Sequence, residues 1–182
     1  VSESYSGVAV SWLAKYGVSV EEAIRRGIIY NGYFDQLIFP FYGRDGRLVC
    51  YQGRNLNSER AAKAKYYNVG DAQEAISVYK TQGSGFPKRL VITEDALSAI
   101  RIARQCDAIP ALGTHVPVSR IVALAPSYEV VTVWLDSDKW REARTIAENF
   151  QWLGLSANTI FTKLDPKCYT DAEIKKYLTS GT

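Results

Sequence analysis

The sequence predicts an α/β protein: a mainly parallel sheet flanked by helices, preceded by a small α+β subdomain. Three observations carry this. From residue 89 onward, short apolar, β-branched runs alternate with stretches of helical periodicity, the pattern of strand–helix–strand units. Before that, residues 36–52 read as an antiparallel hairpin. Between the two, Thr81-Gln-Gly-Ser-Gly-Phe-Pro87 concentrates glycine, serine and proline as a linker does. The expected subdomains are therefore 1–85 and 86–182.

At 182 residues, 47% hydrophobic and 23% charged, the chain has the composition of an ordinary globular protein with a real core. No apolar run approaches the roughly 20 residues needed to span a bilayer, and no signal-peptide pattern opens the chain, so no membrane partner is expected. The chain begins at Val1, which reads as a cut fragment or a processed start. Cys50, Cys106 and Cys168 are scattered and odd in number, which argues against a disulfide framework and for a reducing cytoplasm. All three read as small buried hydrophobes. With no Cys-x-x-Cys pair and His115 as the sole histidine, a zinc finger or ribbon is excluded within these residues.

The net charge of +3 is unevenly spread. Residues 1–88 carry 11 Lys and Arg against 8 Asp and Glu, whereas 89–182 carry 11 of each. The excess lies in Arg44, Arg47, Arg54, Arg60, Lys63 and Lys65, against Asp45 and Glu59. Such a segment suits a phosphate-rich partner, although a solvated loop has the same composition.

In order along the first subdomain, helices are expected over about 8–16 and 20–26, broken at Gly17 and Gly27, with Ser19 and Glu22 as a capping box. Trp12 and Tyr16 are expected to pack rather than stack on a base. Residues 36–42 and 47–52 flank the Gly43-Arg-Asp-Gly46 turn, and Pro40 marks an edge or bulge. Gly53 lets the backbone approach something closely, next to Arg54. Residues 57–64 are polar and irregular or weakly helical. Lys65-Tyr-Tyr-Asn68 interleaves base and aromatic as backbone contact with base stacking requires. A helix is expected over 72–79.

In the second subdomain, strands are expected at 89–93, 108–112, 130–135 and 157–161. Helices are expected at 96–105 and 139–153, with a helix or turn at 119–125. Gly154 sits at a C-cap, and Thr170 with Glu173 starts a last helix reaching about 178. Polar groups then follow successive strands: Glu94, the Gly113-Thr114 turn, Asp136 with Asp138, and Asp165. In a parallel sheet these line the carboxyl edge, where ligands bind. A strand-end Glu with Asp-x-Asp makes an all-oxygen site for a hard cation, Mg²⁺ or Mn²⁺, suited to phosphoryl chemistry with one or two metals. In the competing reading Asp138 merely caps the next helix. For His115 a nucleotide contact competes with an exposed loop; for Asp165 and Lys167, a metal or phosphate role competes with a turn-former and a solvated charge. Asp95, Asp107 and Asp171 read as caps, and Trp134 as core.

Leu90-Val-Ile-Thr-Glu94, Ala111-Leu-Gly-Thr114, Val133-Trp-Leu-Asp136-Ser-Asp138 and Asp165-Pro-Lys167 together resemble a Toprim domain, the catalytic module of primases, topoisomerases and some nucleases. In the first half, Ile38-Phe-Pro-Phe-Tyr42, Gly46 to Arg54, and Lys65-Tyr-Tyr-Asn68 resemble the amino-terminal part of the RNA polymerase domain of bacterial and phage primases. The likeness leans toward phage versions, including those fused to a helicase. The resemblance implies that Glu94 is the general acid/base or metal-linked carboxylate, and that Asp136 and Asp138 hold Mg²⁺ or Mn²⁺. It implies that Arg54, Lys65, Asn68, Gly113, Thr114 and Lys167 contact template or nucleotide. The implied activity is DNA-dependent synthesis of short RNA primers on single-stranded DNA from nucleoside triphosphates. The implied partners are the template, the primer, a replicative helicase and a separate zinc-binding domain.

The chain departs from that pattern. Asp95 and Ser98 stand where the family usually has a Gly and a further Asp, and Lys139-Trp140 where it has Ala-Gly. No Walker A motif is present, so no helicase motor is expected within these residues. A Toprim nuclease, a topoisomerase and a non-catalytic single-strand-binding module are the rival readings. A topoisomerase needs a nucleophilic Tyr and a strand gate, for which 182 residues are few.

Overall fold

The computed structural model describes residues 4–83, 85–86, 88–113 and 115–180. These divide into two compact units, Val1–Ala75 and Ile76–Thr182. The division falls ahead of the Gly-rich stretch at 81–87, because Tyr79 already pairs with Ala108 through two backbone hydrogen bonds (2.8 and 3.1 Å).

The first unit is an antiparallel sheet covered on one face. Helices α1 (Gly7–Lys15) and α2 (Val20–Arg25) start on Ser6 and Ser19, whose hydroxyls accept from Ala9 N and Glu22 N. They stop at Gly17 and Gly27, both at positive φ. Strands β1 (Ile29–Asn31), β2 (Gln36–Tyr42), β3 (Leu48–Asn55) and β4 (Tyr66–Gly70) pair in sequential order. Leu37, Phe39, Phe41 and Cys50 alternate inward and are buried, as are Ala9, Leu13, Val18 and Ala23. Between β3 and β4 lies α3 (Ser58–Lys63), capped by the Asn57 carboxamide. The expected hairpin is thus the centre of a four-stranded sheet, with β1 and β4 added at its edges.

The helix expected over 72–79 does not form. Asp71 instead accepts from Gln73 N at 2.8 Å and organises a single turn, after which the chain runs extended into the Tyr79–Ala108 bridge. Backbone pairing to the second unit's sheet outweighs helical propensity there.

The second unit is the expected strand–helix alternation. Strands β5 (Arg89–Thr93), β6 (Asp107–Pro110), β7 (Val130–Val133) and β8 (Ser156–Thr159) form a parallel sheet in the order β6-β5-β7-β8. Helices α4 (Ala96–Ile102), α5 (Val118–Leu124), α6 (Trp140–Trp152) and α7 (Asp171–Ser180) accompany it. The strands are apolar because both faces are covered: Leu90, Ile92, Ile109, Val131 and Val133 lie in one core with Ile121, Ile146 and Phe150. Strand β7 is shorter than expected, since Trp134 leaves the ladder after its N–H bonds Ile92 O (2.8 Å). The indole is fully buried and donates to Thr162 Oγ1 (2.8 Å). The Thr170–Glu173 capping box forms reciprocally (2.8 and 3.3 Å). Cys50 and Cys106 are buried, but Cys168 is exposed, because it sits in the short 3-10 turn Pro166–Cys168 rather than in the core. No helix among the described residues is long and apolar enough to cross a membrane.

Candidate active site and nucleic-acid face

The registers Ile92↔Val133 and Thr93↔Pro110 align the strand ends, so Glu94, the residues after Pro110, and Asp136 leave the same edge of the sheet. Two turns fix them. Ala111 N and Leu112 N bond Thr93 O (2.7 Å) and Glu94 O (3.2 Å), and Lys139 N bonds Asp136 O (2.9 Å). The Glu94 and Asp136 side chains are half-buried, and each has one oxygen, Glu94 Oε2 and Asp136 Oδ1, sealed from solvent with no hydrogen-bond partner.

Burial of charge raises both carboxyls. Desolvation pushes Glu94 above the ordinary glutamate value; Lys139 and Lys167 oppose this, and Asp95 and Asp138 reinforce it. Desolvation pushes Asp136 up to about 7, opposed by Lys167 and reinforced by Asp165, Glu94 and Asp95. A hard divalent cation is a partner that both sealed oxygens would accept, so the donor set fits Mg²⁺ or Mn²⁺ chemistry. Among the described residues no three Asp, Glu, His or Cys side chains converge as a ready-made metal shell. Asp138 stands off: its side chain is 72% exposed and pairs with Lys139 at 3.3 Å. Nor does it cap the next helix, whose N-cap is Lys139 without a side-chain bond.

Asp95 is the cap its sequence position suggested, but it is buried and paired with Lys167. As the N-cap of α4 it accepts from Ser98 N (3.0 Å) and Ser98 Oγ (2.9 Å). Lys167 is no solvated charge. Its side chain is 9% exposed, and the ammonium lies 2.8 Å from Asp95 Oδ2 and 2.7 Å from Asp165 Oδ2. Sequence reasoning also passed over Arg120, which is 1% exposed and donates to Ala111 O (2.9 Å) and Pro110 O (2.7 Å). It braces the exit of β6, where Leu112 (φ 63) and Gly113 (φ 152) turn the chain. Nothing in a periodicity count marks Arg120, since it falls in an otherwise apolar helix. Thr114 lies outside the described residues, and His115 is exposed.

In the first unit Arg54 is held between rings, its guanidinium carbon 5.2 Å from the Trp12 centroid and 4.8 Å from that of Tyr66. Its Nε is buried with no hydrogen-bond partner. Trp12 thus stacks on a cation rather than only packing. Lys65 and Asn68 are exposed, and Asn68 Oδ1 accepts from Gln52 Nε2 at 3.4 Å. Gly53 is required by Tyr67, its partner across the strands: a Cβ there would lie 2.1 Å from the ring. On that opposite face a cavity of about 470 Å³ is lined by Phe34, Tyr51, Gln36, Asn55, Arg60 and Tyr67, among others. Its floor is a hydrogen-bond chain from Tyr67 Oη to Gln36 Oε1 (2.8 Å), Gln36 Nε2 to Asn55 Oδ1 (2.6 Å) and Asn55 Nδ2 to Ala64 O (2.7 Å). Arg60 lies 4.5 Å over the Phe34 ring.

No protein-family model matches the chain. A DNA primase of Haemophilus influenzae is 29% identical over 147 residues, which cover 70% of this chain and 24% of that protein. The chain therefore spans about a quarter of the length of its curated relative. Two solved structures share the fold. The zinc-binding and RNA polymerase domains of the Aquifex aeolicus primase align with a TM-score of 0.75 at 13% identity, over 97% of this chain and 56% of that one. A DnaG primase catalytic domain bound to single-stranded DNA aligns with a TM-score of 0.74 at 18% identity, over 97% and 73%. In sequence the chain is thus similar to part of a bacterial DNA primase, and in fold to solved primase catalytic and RNA polymerase domains.

Proposed function

We propose that this chain is the catalytic core of a DNA primase, making short RNA primers on single-stranded DNA by metal-dependent nucleotidyl transfer. The observation that carries the reading is the pair of sealed, partnerless carboxylate oxygens, Glu94 Oε2 and Asp136 Oδ1, at the carboxyl edge of a primase-type parallel sheet. Glu94 and Asp136 would hold a divalent cation, Mg²⁺ or Mn²⁺, with Asp138 reaching it from the exposed side. Such an ion, when bound, neutralises phosphate charge and acidifies the attacking hydroxyl. Glu94, held above its ordinary pKa by burial, is suited to take the proton of the primer 3′-hydroxyl at Oε1, the oxygen left free when Oε2 faces the cation. Catalysis is otherwise positioning: Arg120 and the turn at Leu112–Gly113 set the backbone beside the carboxylates.

Template and nucleotide contacts belong to the first subdomain in this reading. Arg54, Lys65 and Asn68 would follow the backbone, supported by Arg44, Arg47 and Lys63. The cavity with aromatic walls and an amide floor offers stacking faces and hydrogen-bonding edges to a base. Gly113, Thr114 and Lys167 are the candidates for phosphate contact in the second subdomain, with Lys167 the least accessible. A zinc-binding domain and a replicative helicase are proposed partners, with the cytoplasm as the compartment.

The test is to incubate the chain with Mg²⁺ or Mn²⁺, labelled ribonucleotides and single-stranded DNA. Short RNA products are expected, and Asp136→Ala should abolish them. Shortened DNA would mean a nuclease, and a retarded but unchanged template a binding module.

A further inference from the structure

We infer that Lys167 is a fixed internal cation of the carboxylate site, so that the site takes one divalent ion where it would otherwise need two. The inference rests on the metal reading of Glu94 and Asp136 given above. Asp136 feels the charges of Glu94, Asp95 and Asp165, and Glu94 that of its neighbour Asp95, so four carboxylates bear on this edge of the sheet. They divide into two sets. Asp95 and Asp165 share the Lys167 ammonium, at 2.8 and 2.7 Å, and the two Asp95 oxygens also accept both donors of Ser98. Glu94 and Asp136 keep the sealed oxygens that nothing partners.

The ammonium is held in place. Lys167 sits in the 3-10 turn Pro166–Cys168, entered through Asp165 and Pro166, and its side chain is 9% exposed. Asp95 is fixed as the helix N-cap by Ser98. Lys167 also acts electrostatically on both Asp136 and Glu94, lowering the pKa of each against the rise from burial. Two-metal sites for phosphoryl transfer space their ions about 3.5–4 Å apart, each charge being balanced by carboxylates. Here one of the two positive charges is covalently attached to the chain. A second divalent ion would have to displace a buried ammonium from two aspartates. Two sealed oxygens, on two carboxylates, match a single Mg²⁺ or Mn²⁺ whose remaining positions go to water and phosphate, as is usual for Mg²⁺.

The experiment counts Mn²⁺ bound to the whole chain, by equilibrium dialysis and by electron paramagnetic resonance, without nucleotide or template. One ion per chain is expected, with the hyperfine pattern of an isolated Mn²⁺, and Asp136→Asn should abolish it. Lys167→Met should raise the count to two and give the spectrum of magnetically coupled ions, whereas Lys167→Arg, which keeps the charge, should stay at one. Two coupled ions in the unaltered protein would overturn the inference. So would a single ion in a folded Lys167→Met variant, which would leave Lys167 a structural staple. If Lys167→Met does not fold, the unaltered protein and Lys167→Arg decide. Loss of all Mn²⁺ binding in the unaltered protein, or an ion that survives Asp136→Asn, would overturn the metal reading and this inference with it. Failure of primer synthesis with one Mn²⁺ bound would overturn the primase reading and leave the inference standing.

Discussion

A carboxyl that titrates near neutrality makes the metal-free chain's stability respond to pH. Asp136 has a model-compound value of 3.8 and is pushed up to about 7 by burial in the fold. The folded chain therefore holds a proton there that the unfolded chain has lost. Its contribution to stability is complete below pH about 4 and disappears as pH rises through about 7. Without metal, the melting temperature should fall from pH 5 to pH 8 more steeply in the unaltered protein than in Asp136→Asn; equal slopes would contradict the assigned burial. Arg54 calls for a different measurement. Arg54→Ala should weaken single-strand binding and lower the slope of log affinity against log salt by roughly one, as for a lost phosphate contact. Arg54→Lys should restore the slope but not the affinity, because a point charge cannot fill the planar slot between Trp12 and Tyr66. At this scale the sequence made Glu94 and Asp136 legible, since a strand that ends in a carboxylate can be read from composition alone. It hid the pairing of Asp95 with Lys167, residues 72 positions apart. It also made Lys167 look like a surface charge, because a lysine after a proline carries no mark of burial.

Among the elements, the exits of β5 and β7 set Glu94 and Asp136, the carboxylates of the proposed site, at one edge of the sheet. Trp134 anchors β7, with its indole donating to Thr162. Trp134→Ala should destabilise the protein by about 3–5 kcal/mol through the cavity it leaves. Thr162→Val should cost only about 1 kcal/mol, the value of one exchanged hydrogen bond. Urea denaturation separates the two. Arg120→Met should remove the donors that hold Pro110 O and Ala111 O, destabilising the fold by about 1–3 kcal/mol and loosening residues 111–113 in hydrogen exchange. Periodicity foretold the parallel sheet and its helices because each strand is covered on both faces and so reads as a continuous apolar run. It failed over 72–79, where Ala72, Ala75, Ile76 and Tyr79 have helical spacing but backbone pairing at Ala108 sets the conformation. Strand β4 was hidden in Lys65-Tyr-Tyr-Asn68 because its aromatic run suggested ligand contact, whereas Tyr67 closes over Gly53 within the sheet.

Over the whole molecule, two units with separate cores carry different groups: the basic run of Arg44, Arg47, Arg54, Arg60, Lys63 and Lys65 in the first, and an acidic strand edge in the second. Cation binding should therefore stabilise the two unequally. At 100 times its dissociation constant, Mn²⁺ should add about 2.7 kcal/mol of protection to amides of Ile76–Thr182 and almost none to Val1–Ala75, read by hydrogen exchange. Equal protection in both units would contradict a site confined to the second. The α/β class was legible because the strand–helix rhythm survives along the chain. The position of the division was less so, since the Gly-rich stretch follows the first contact with the second sheet. The buried pair of Lys167 and Asp95 also constrains how this sequence can change over descent. Losing Lys167 strands Asp95 as an uncompensated buried charge, at a cost of about 3–5 kcal/mol, a large fraction of a domain's margin, whereas losing Asp95 leaves Lys167 paired with Asp165. The order of exchange is therefore constrained: Asp95 can be replaced first, Lys167 only with it or after it. Collections of related chains should show the lysine without the aspartate more often than the aspartate without the lysine.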